Sequence, residues 1–337
     1  MYELDVLGVG NEKDADAITA RFTRPDNGAM AHIVIDAGWQ ADGEKVVKML
    51  ERYEAPSVDL AIVTHPDGDH IGGMGKVFDH FKVKVLMLHR LDQRGGAGLP
   101  AADAVKELVE KAQACGAEVT EPRPGRTFAQ GALTVLGPSD DYYNQLVQEQ
   151  LVEAGTVAKS LGLREAVRAL SDRVLGWLPT EVPFNDGPGT KGRNNSSVIN
   201  FLQIEGHRIL LTADAGVPAI ESALDYAQSI GYAAEQPSLV QIPHHGSRRN
   251  GSSALLDRLL GGATESRRGE AFVSVVSDDD AKHPAGRIVN AYKRRGYPYF
   301  WTANNNSLCW KSPDAPPRLD YSAAPEGPIL AELADDA

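Results

Sequence analysis

Between Ala61 and Met74 the chain reads AIVTHPDGDHIGGM, which sets His65, Asp67, Asp69 and His70 directly behind an apolar run. Imidazole nitrogens and carboxylate oxygens are donors for hard and borderline divalent cations such as Zn²⁺, Mn²⁺ and Fe²⁺. Gly68, and then Gly72 and Gly73, permit tight turns that can bring alternate side chains to one point. Two further apolar runs end in the same chemistry. ILLTADAG places Asp214 past one of them, and SLVQIPHHGSRR places His244 and His245 past the other, followed by Gly246 and Ser247. An isolated aspartate behind a strand usually caps a helix, and a histidine pair is often plain polar surface. Separate strand ends that all deliver ligand types argue instead for one shared site. Asp214 lies between the two groups in sequence and can bridge two ions. Two-metal sites of this kind polarise a phosphoryl or acyl oxygen and generate hydroxide near neutral pH.

The elements that must position these residues follow from patterning. Strand patterns occur at 2–9, 17–22 and 32–38, and again in VDLAIV, KVKVLML, AEVTEP and ALTVLGP. They return at SSVINFLQI and RILLTAD, joined by a Glu205-Gly206 hairpin turn, and at SLVQIP and AFVSVVS. Helical periodicity marks 44–53, 100–115, 218–232 and 285–295. Residues 140–178 are helical throughout, and 179–195 form a Gly/Pro-rich loop. Strands dominate in two blocks with helices interspersed in each. That predicts an α/β architecture of two sheets with helices outside, not one doubly wound sheet. The Pro-rich, acidic segment 311–337 reads as a loosely packed tail.

Composition narrows the function classes. A formal net charge of −12 works against a broad electrostatic grip on nucleic acid. The two cysteines, Cys115 and Cys309, have no CxxC partners, so neither a disulfide framework nor a thiolate zinc site is expected. The N-terminus lacks the pattern of a signal peptide, and no window approaches the roughly 18 apolar residues of a membrane span. A cytoplasmic protein without a membrane segment is the expectation.

HPDGDHIGG resembles the HxDxDHxGG variant of the metallo-β-lactamase-fold signature, with Asp67 where the better-known HxHxDH form has its second histidine. Together with NNSSVI, LLTADA and PHHGS, it resembles the soluble hydrolase domain of the ComEC competence family over about residues 2–310. The resemblance implies an αββα sandwich domain over 1–310, with a helical insertion at about 140–178 ahead of NNSS. It also implies two divalent metal ions, Zn or Mn, along one edge. His65 and Asp67 would ligate the first ion, Asp69 and His70 the second, and Asp214 would bridge. His245 would complete the shell, with His244 beside the substrate and Asp36 supporting the ligand loop from behind. Asn195 stands where other members of the fold supply a histidine, and would orient substrate or water. His283, in KHP, is a candidate for substrate contact or proton transfer. Two departures stand out: the early segment reads GVGNEKDADA where the family has a sequence close to VGQGDA, and the membrane-channel portion of ComEC is absent.

Lys191, Arg193, Arg248, Arg249 and Lys282 fall within a few residues of motif positions. Cations beside two metals suit an anionic ester. The expected activity is therefore a metal-dependent phosphodiesterase or nuclease acting on a nucleotide or single-stranded nucleic acid. Its catalytic candidates are His244, His283 and Asp69, and its substrate contacts are Asn195, Ser247, Lys191, Arg193 and Arg248. The carboxylate-rich shell favours Mn²⁺ or a mixed metal population over pure zinc. Alternatives are hydrolysis of a lactone, thioester or amide, and a metal-binding interaction subunit without turnover. The insertion could serve as a lid, or as the surface for a protein partner or homodimer.

Overall fold

The computed structural model describes residues 1–157, 184, 190–277, 283–318 and 323–330. In chain order, β1 (Tyr2–Val6), β2 (Ala17–Thr23), β3 (Met30–Ala37), β4 (Val58–Ile62), β5 (Val83–Met87) and β6 (Glu118–Thr120) build most of one sheet. β7 (Thr127–Phe128), β8 (Leu133–Gly137), β9 (Ile199–Ile204), β10 (His207–Leu211), β11 (Leu239–Gln241), β12 (Glu270–Val273) and β13 (Tyr299–Trp301) build the second. β14 (Leu308–Lys311) then returns to the edge of the first. The two seven-stranded sheets run β14-β1-β2-β3-β4-β5-β6 and β13-β12-β11-β10-β9-β8-β7.

Strand alternation explains why the sheets face each other. Ile18, Ala20 and Phe22 of β2, Ile33 and Ile35 of β3, and Ile209 and Leu211 of β10 fill the layer between the sheets. The intervening Val34 and Leu210 point outward to the helices. This period-two pattern with both faces apolar is what a sheet covered on both sides requires. Phe22 and Phe201 are fully buried, and truncating such a side chain to Ala costs about 3–5 kcal/mol.

The helices are α1 (Gly43–Arg52), α2 (Gly68–Ile71), α3 (Met74–His80), α4 (Ala101–Ala114), α5 (Asp140–Val157), α6 (Gly192–Asn195), α7 (Val217–Ser229), α8 (Ser253–Leu260) and α9 (Gly286–Arg294). α1, α3 and α4 cover the first sheet, and α7, α8 and α9 the second. The result is the expected αββα sandwich. In each sheet one half is parallel: β3-β4-β5-β6 in the first and β10-β11-β12-β13 in the second. Parallel strands bring their C-terminal ends to one edge, and loops there are where α/β sheets place their chemistry.

Three elements depart from patterning. α8 was not anticipated, although Ser252 caps its N-terminus by accepting from Leu255 N, and Leu255, Leu256, Leu259 and Leu260 form its buried face. The described part of the tail is docked, not loose. Gly327 N donates to Tyr299 O at 2.8 Å, Asn290 and Leu330 exchange two hydrogen bonds, and Lys293 pairs with Glu326. In the proposed insertion, α5 buries Tyr143, Leu146 and Val147 against the body, so its first turns are part of the core. The remainder of the insertion, 158–178, lies outside the described residues.

Candidate metal centre

The ligand loops are laced together before any ion is considered. At the end of β3, Asp36 adopts a left-handed backbone (φ 57°) and turns its carboxylate toward the loop after β4. There Asp36 Oδ1 accepts from Thr64 N at 2.8 Å, and Oδ2 accepts from Thr64 Oγ1 at 2.5 Å. The same Oδ2 lies 2.7 Å from His70 Nδ1. Gly73 allows α3 to start flush against this loop, since a Cβ there would stand 2.1 Å from Ala37 O. From the second sheet, Val198 N donates to Thr64 O at 3.0 Å, and His244 N donates to Ala213 O at 3.0 Å. Gly246 (φ 77°) packs so tightly on Pro284 that a Cβ would sit 2.5 Å from its ring, and its carbonyl accepts from Ala285 N. That contact draws His283 to the site.

The imidazoles are oriented through their Nδ1 atoms, which leaves Nε2 free. His70 Nδ1–H donates to Asp36, and His245 Nδ1–H donates to Ser274 O at 2.8 Å. His65 Nδ1 lies 3.3 Å from both Thr64 Oγ1 and Ser197 Oγ. Such outer partners fix the tautomer of a metal-binding histidine. The three Nε2 atoms and Asp214 Oδ1 are buried and without hydrogen-bond partners.

Their separations are informative. His65 Nε2 is 3.7 Å from Asp214 Oδ2 and 3.9 Å from Asp67 Oδ2. His70 Nε2 is 3.5 Å from Asp214 Oδ1 and 3.8 Å from Asp69 Oδ2, and His245 Nε2 is 3.5 Å from that same Asp69 oxygen. Donors each about 2.1 Å from one ion at a tetrahedral angle stand roughly 3.4 Å apart. The residues present therefore fit divalent ions, with the two oxygens of Asp214 turned toward the two histidine groups.

Electrostatics agree. Burial lifts the Asp67 carboxyl to about 6, against the pull of Arg193. Burial also drives the His65 imidazole down to about 3. Burial would lower His245 too, but Asp69, Asp16 and Asp214 outweigh it and hold the ring up to about 10. Without an ion, the surrounding carboxylates favour protons on His70 and His245, while His65 stays neutral. A bound cation would displace them.

The remaining candidates are placed as follows. His244, also left-handed (φ 51°), has Nδ1 2.9 Å from Asn250 Oδ1 and Nε2 3.5 Å from Asp214 Oδ2. His283 Nδ1 lies 2.9 Å from Asp14 Oδ2, and its ring centroid is 5.9 Å from that of His244. Arg193 pairs with Asp67 Oδ1 at 2.5 Å, Lys191 is exposed, and Arg248 and Arg249 are half-buried. Ser247 is buried at the start of a short 3₁₀ turn. Lys282 lies outside the described residues. Asn195 is directed elsewhere than expected: its Nδ2 donates to Thr190 O, and its Oδ1 accepts from Gly216 N. Its neighbour Asn194 faces the centre instead, with Nδ2 3.3 Å from Asp214 Oδ2 and 3.2 Å from the His244 ring nitrogens. Helix α6 turns one asparagine in and the other out. The sequence showed both residues but not that rotation.

Sequence reasoning passed over Asp14, Asp16 and Asn250. Asp14 and Asp16 belong to the stretch GVGNEKDADA; Asp14 lies in the part that departs from VGQGDA, whereas Asp16-Ala17 reads like its closing Asp-Ala.

The family model of the metallo-beta-lactamase superfamily matches residues 27–264, and the chain belongs to that superfamily. Over 117 residues it is 30% identical to the uncharacterized protein YcaI of Escherichia coli (strain K12). That match covers 34% of this chain and only 14% of the relative. Among solved structures, Zn(2+)-bound PqqB from Methylobacterium extorquens is similar, with a TM-score of 0.44 and 11% identity, covering 92% of this chain and 100% of that one. Igni18, a metallo hydrolase from Ignicoccus hospitalis, matches at a TM-score of 0.41 and 12% identity, covering 92% and 99%. Among the described residues, no helix is long and apolar enough to cross a membrane.

Proposed function

We propose that the protein is a dinuclear metal-dependent phosphodiesterase, with nucleotides or single-stranded nucleic acid as substrate class. The observation that carries this reading is the set of orphaned Nε2 atoms, those of His65 and His70 facing the two oxygens of Asp214 and that of His245 facing Asp69. Two divalent ions held there would supply Lewis acidity toward a phosphoryl oxygen and an ionised water at neutral pH. The HxDxDHxGG variant and its resemblance to the ComEC hydrolase domain point to the same chemistry.

The chain's own residues supply the rest. Arg193, Lys191 and Arg248 stand on the NNSS and HHGS loops, where they would draw in and orient an anionic ester. Asn250 accepts from His244 Nδ1–H and so turns His244 Nε2 toward Asp214, where it would donate to a non-reacting substrate oxygen only in its protonated form. Asp14 accepts from His283 Nδ1–H, which leaves His283 Nε2 to deliver a proton to the departing oxygen.

The test is hydrolysis of bis(p-nitrophenyl) phosphate and of single-stranded DNA by the purified protein, with Mn²⁺ and separately with Zn²⁺. Metal-dependent cleavage that disappears in an Asp69→Ala/His70→Ala variant is the expected result, and the better substrate separates small-molecule enzyme from nuclease. Bound metal without cleavage of either would overturn the assignment and turn attention to acyl substrates and to the insertion.

A further inference from the structure

Asp16 lies just ahead of β2 in a polar stretch, yet only 2% of it is exposed. Its backbone is held from two sides: Asp16 N donates to Asp69 O at 3.1 Å, and Gly38 N donates to Asp16 O at 2.8 Å. Asp16 is thus tied directly to the loops that carry Asp69 and Asp36. Its side chain is set by Gln241. Gln241 Oε1 accepts from Thr212 N at 3.1 Å and Ala213 N at 2.8 Å, so the amide orientation is unambiguous and Nε2 must face Asp16 Oδ2, at 3.3 Å. Asp16 Oδ1 is left buried and without a hydrogen-bond partner. Asp16, His70, Asp214 and His245 each offer one ligand atom, and these atoms all lie within 4.8 Å of one another. A buried carboxylate oxygen beside a second carboxylate carries a heavy desolvation cost unless a cation answers both.

We infer that Asp16 is a ligand of the second ion, joining Asp69, His70, Asp214 and His245. This rests on the dinuclear reading above and deepens it. The two ion positions then differ chemically. The first has His65, Asp67 and Asp214 as protein donors, an open set of the kind found in catalytic zinc sites. The second has three carboxylates and two imidazoles, which with one water complete an octahedron, a geometry suited to Mn²⁺ or Fe²⁺ and poorly suited to tetrahedral Zn²⁺.

The direct test is an anomalous difference map from crystals of the full chain grown with Mn²⁺. The expected result is an ion within about 2.0–2.5 Å of an Asp16 carboxylate oxygen. An ion at the second position standing more than about 3 Å from both Asp16 oxygens would overturn the inference, as would the absence of any ion there. Solution calorimetry adds a second readout with Asp16→Asn, which keeps the acceptor for Gln241. Loss of a ligand should weaken Mn²⁺ binding at least 100-fold while Zn²⁺ binding changes less than tenfold. Loss of a merely supporting partner would weaken both metals alike, by about 10–100-fold, and that outcome would also overturn it. If the variant does not fold, the map of the unaltered protein decides. Ions bound with Asp16 as ligand but no phosphodiester cleavage would leave this inference standing and sink the proposed activity.

Discussion

Two regions of this molecule bury several carboxylates, and they resolve the problem in opposite ways. At β1, Glu3 and Asp5 are inaccessible to solvent, and the chain answers them with its own cations. Arg21 pairs with Glu3, Arg318 reaches back from beyond β14 to contact Glu3 and Asp5 at 2.9 Å each, and Tyr53 donates to Asp5. Only Asp5 Oδ1 lacks a partner there. At the loop edge, Asp16, Asp36, Asp67, Asp69 and Asp214 crowd together beside Arg193 and histidines whose Nε2 atoms are unsatisfied. One acidic cluster is answered by arginines, while the other meets mainly imidazoles with unsatisfied Nε2 atoms, a set suited to an external cation. A cavity of about 430 Å³ opens beside the first cluster, lined by Glu270, Cys309, Trp310 and Arg318, and shares no residue with the ion-ligand set.

The contrast can be broken most severely at Asp214. Asp214→Asn should reduce bound metal from two equivalents to one or none, with activity falling by more than the 10–100-fold that loss of an outer partner costs; elemental analysis beside the phosphodiester assay reads both. Next in size is Arg318→Met, which removes a shared cation from a buried pair of carboxylates. The chain should lose about 3 kcal/mol of stability in denaturant titration while its metal content stays unchanged. A loss of metal in that variant would show that the two regions are not independent.

How much of this was legible in sequence depends on what announces a residue. His65, Asp67, Asp69, His70, Asp214 and His245 each follow an apolar run, and a strand followed by a ligand type can be read by eye. The two-sheet architecture was legible for the same reason, because Val, Ile and Leu runs are dense at β3, β4, β9 and β10. Asp16 precedes its strand and has no apolar run before it. Its role depends on a backbone hydrogen bond to Asp69 and on an amide from Gln241, and no local pattern encodes either. Asn194 and Asn195 differ only by a helical rotation. The docking of 323–330 rests on contacts with α9 and β13, which composition does not register.

Two smaller effects sharpen the comparison. Asp36→Asn removes the charge that orients His70 without removing a ligand. Metal affinity should fall about 10–100-fold with the fold intact, as read by calorimetry and far-UV circular dichroism. Arg193→Gln takes away the cation beside Asp67, and the KM for an anionic ester should rise about tenfold, equivalent to roughly 1.4 kcal/mol of binding, with kcat little changed. A fall in kcat instead would place Arg193 on the reacting phosphoryl group.

The central claim is that the loop edge was built around two external cations. Calorimetric titration of the metal-stripped full chain with Mn²⁺ tests it most directly. Two equivalents bound per chain, both abolished or severely weakened in Asp214→Asn, is the predicted result. A metal-stripped chain that is folded yet binds no Mn²⁺ and no Zn²⁺ would contradict the account.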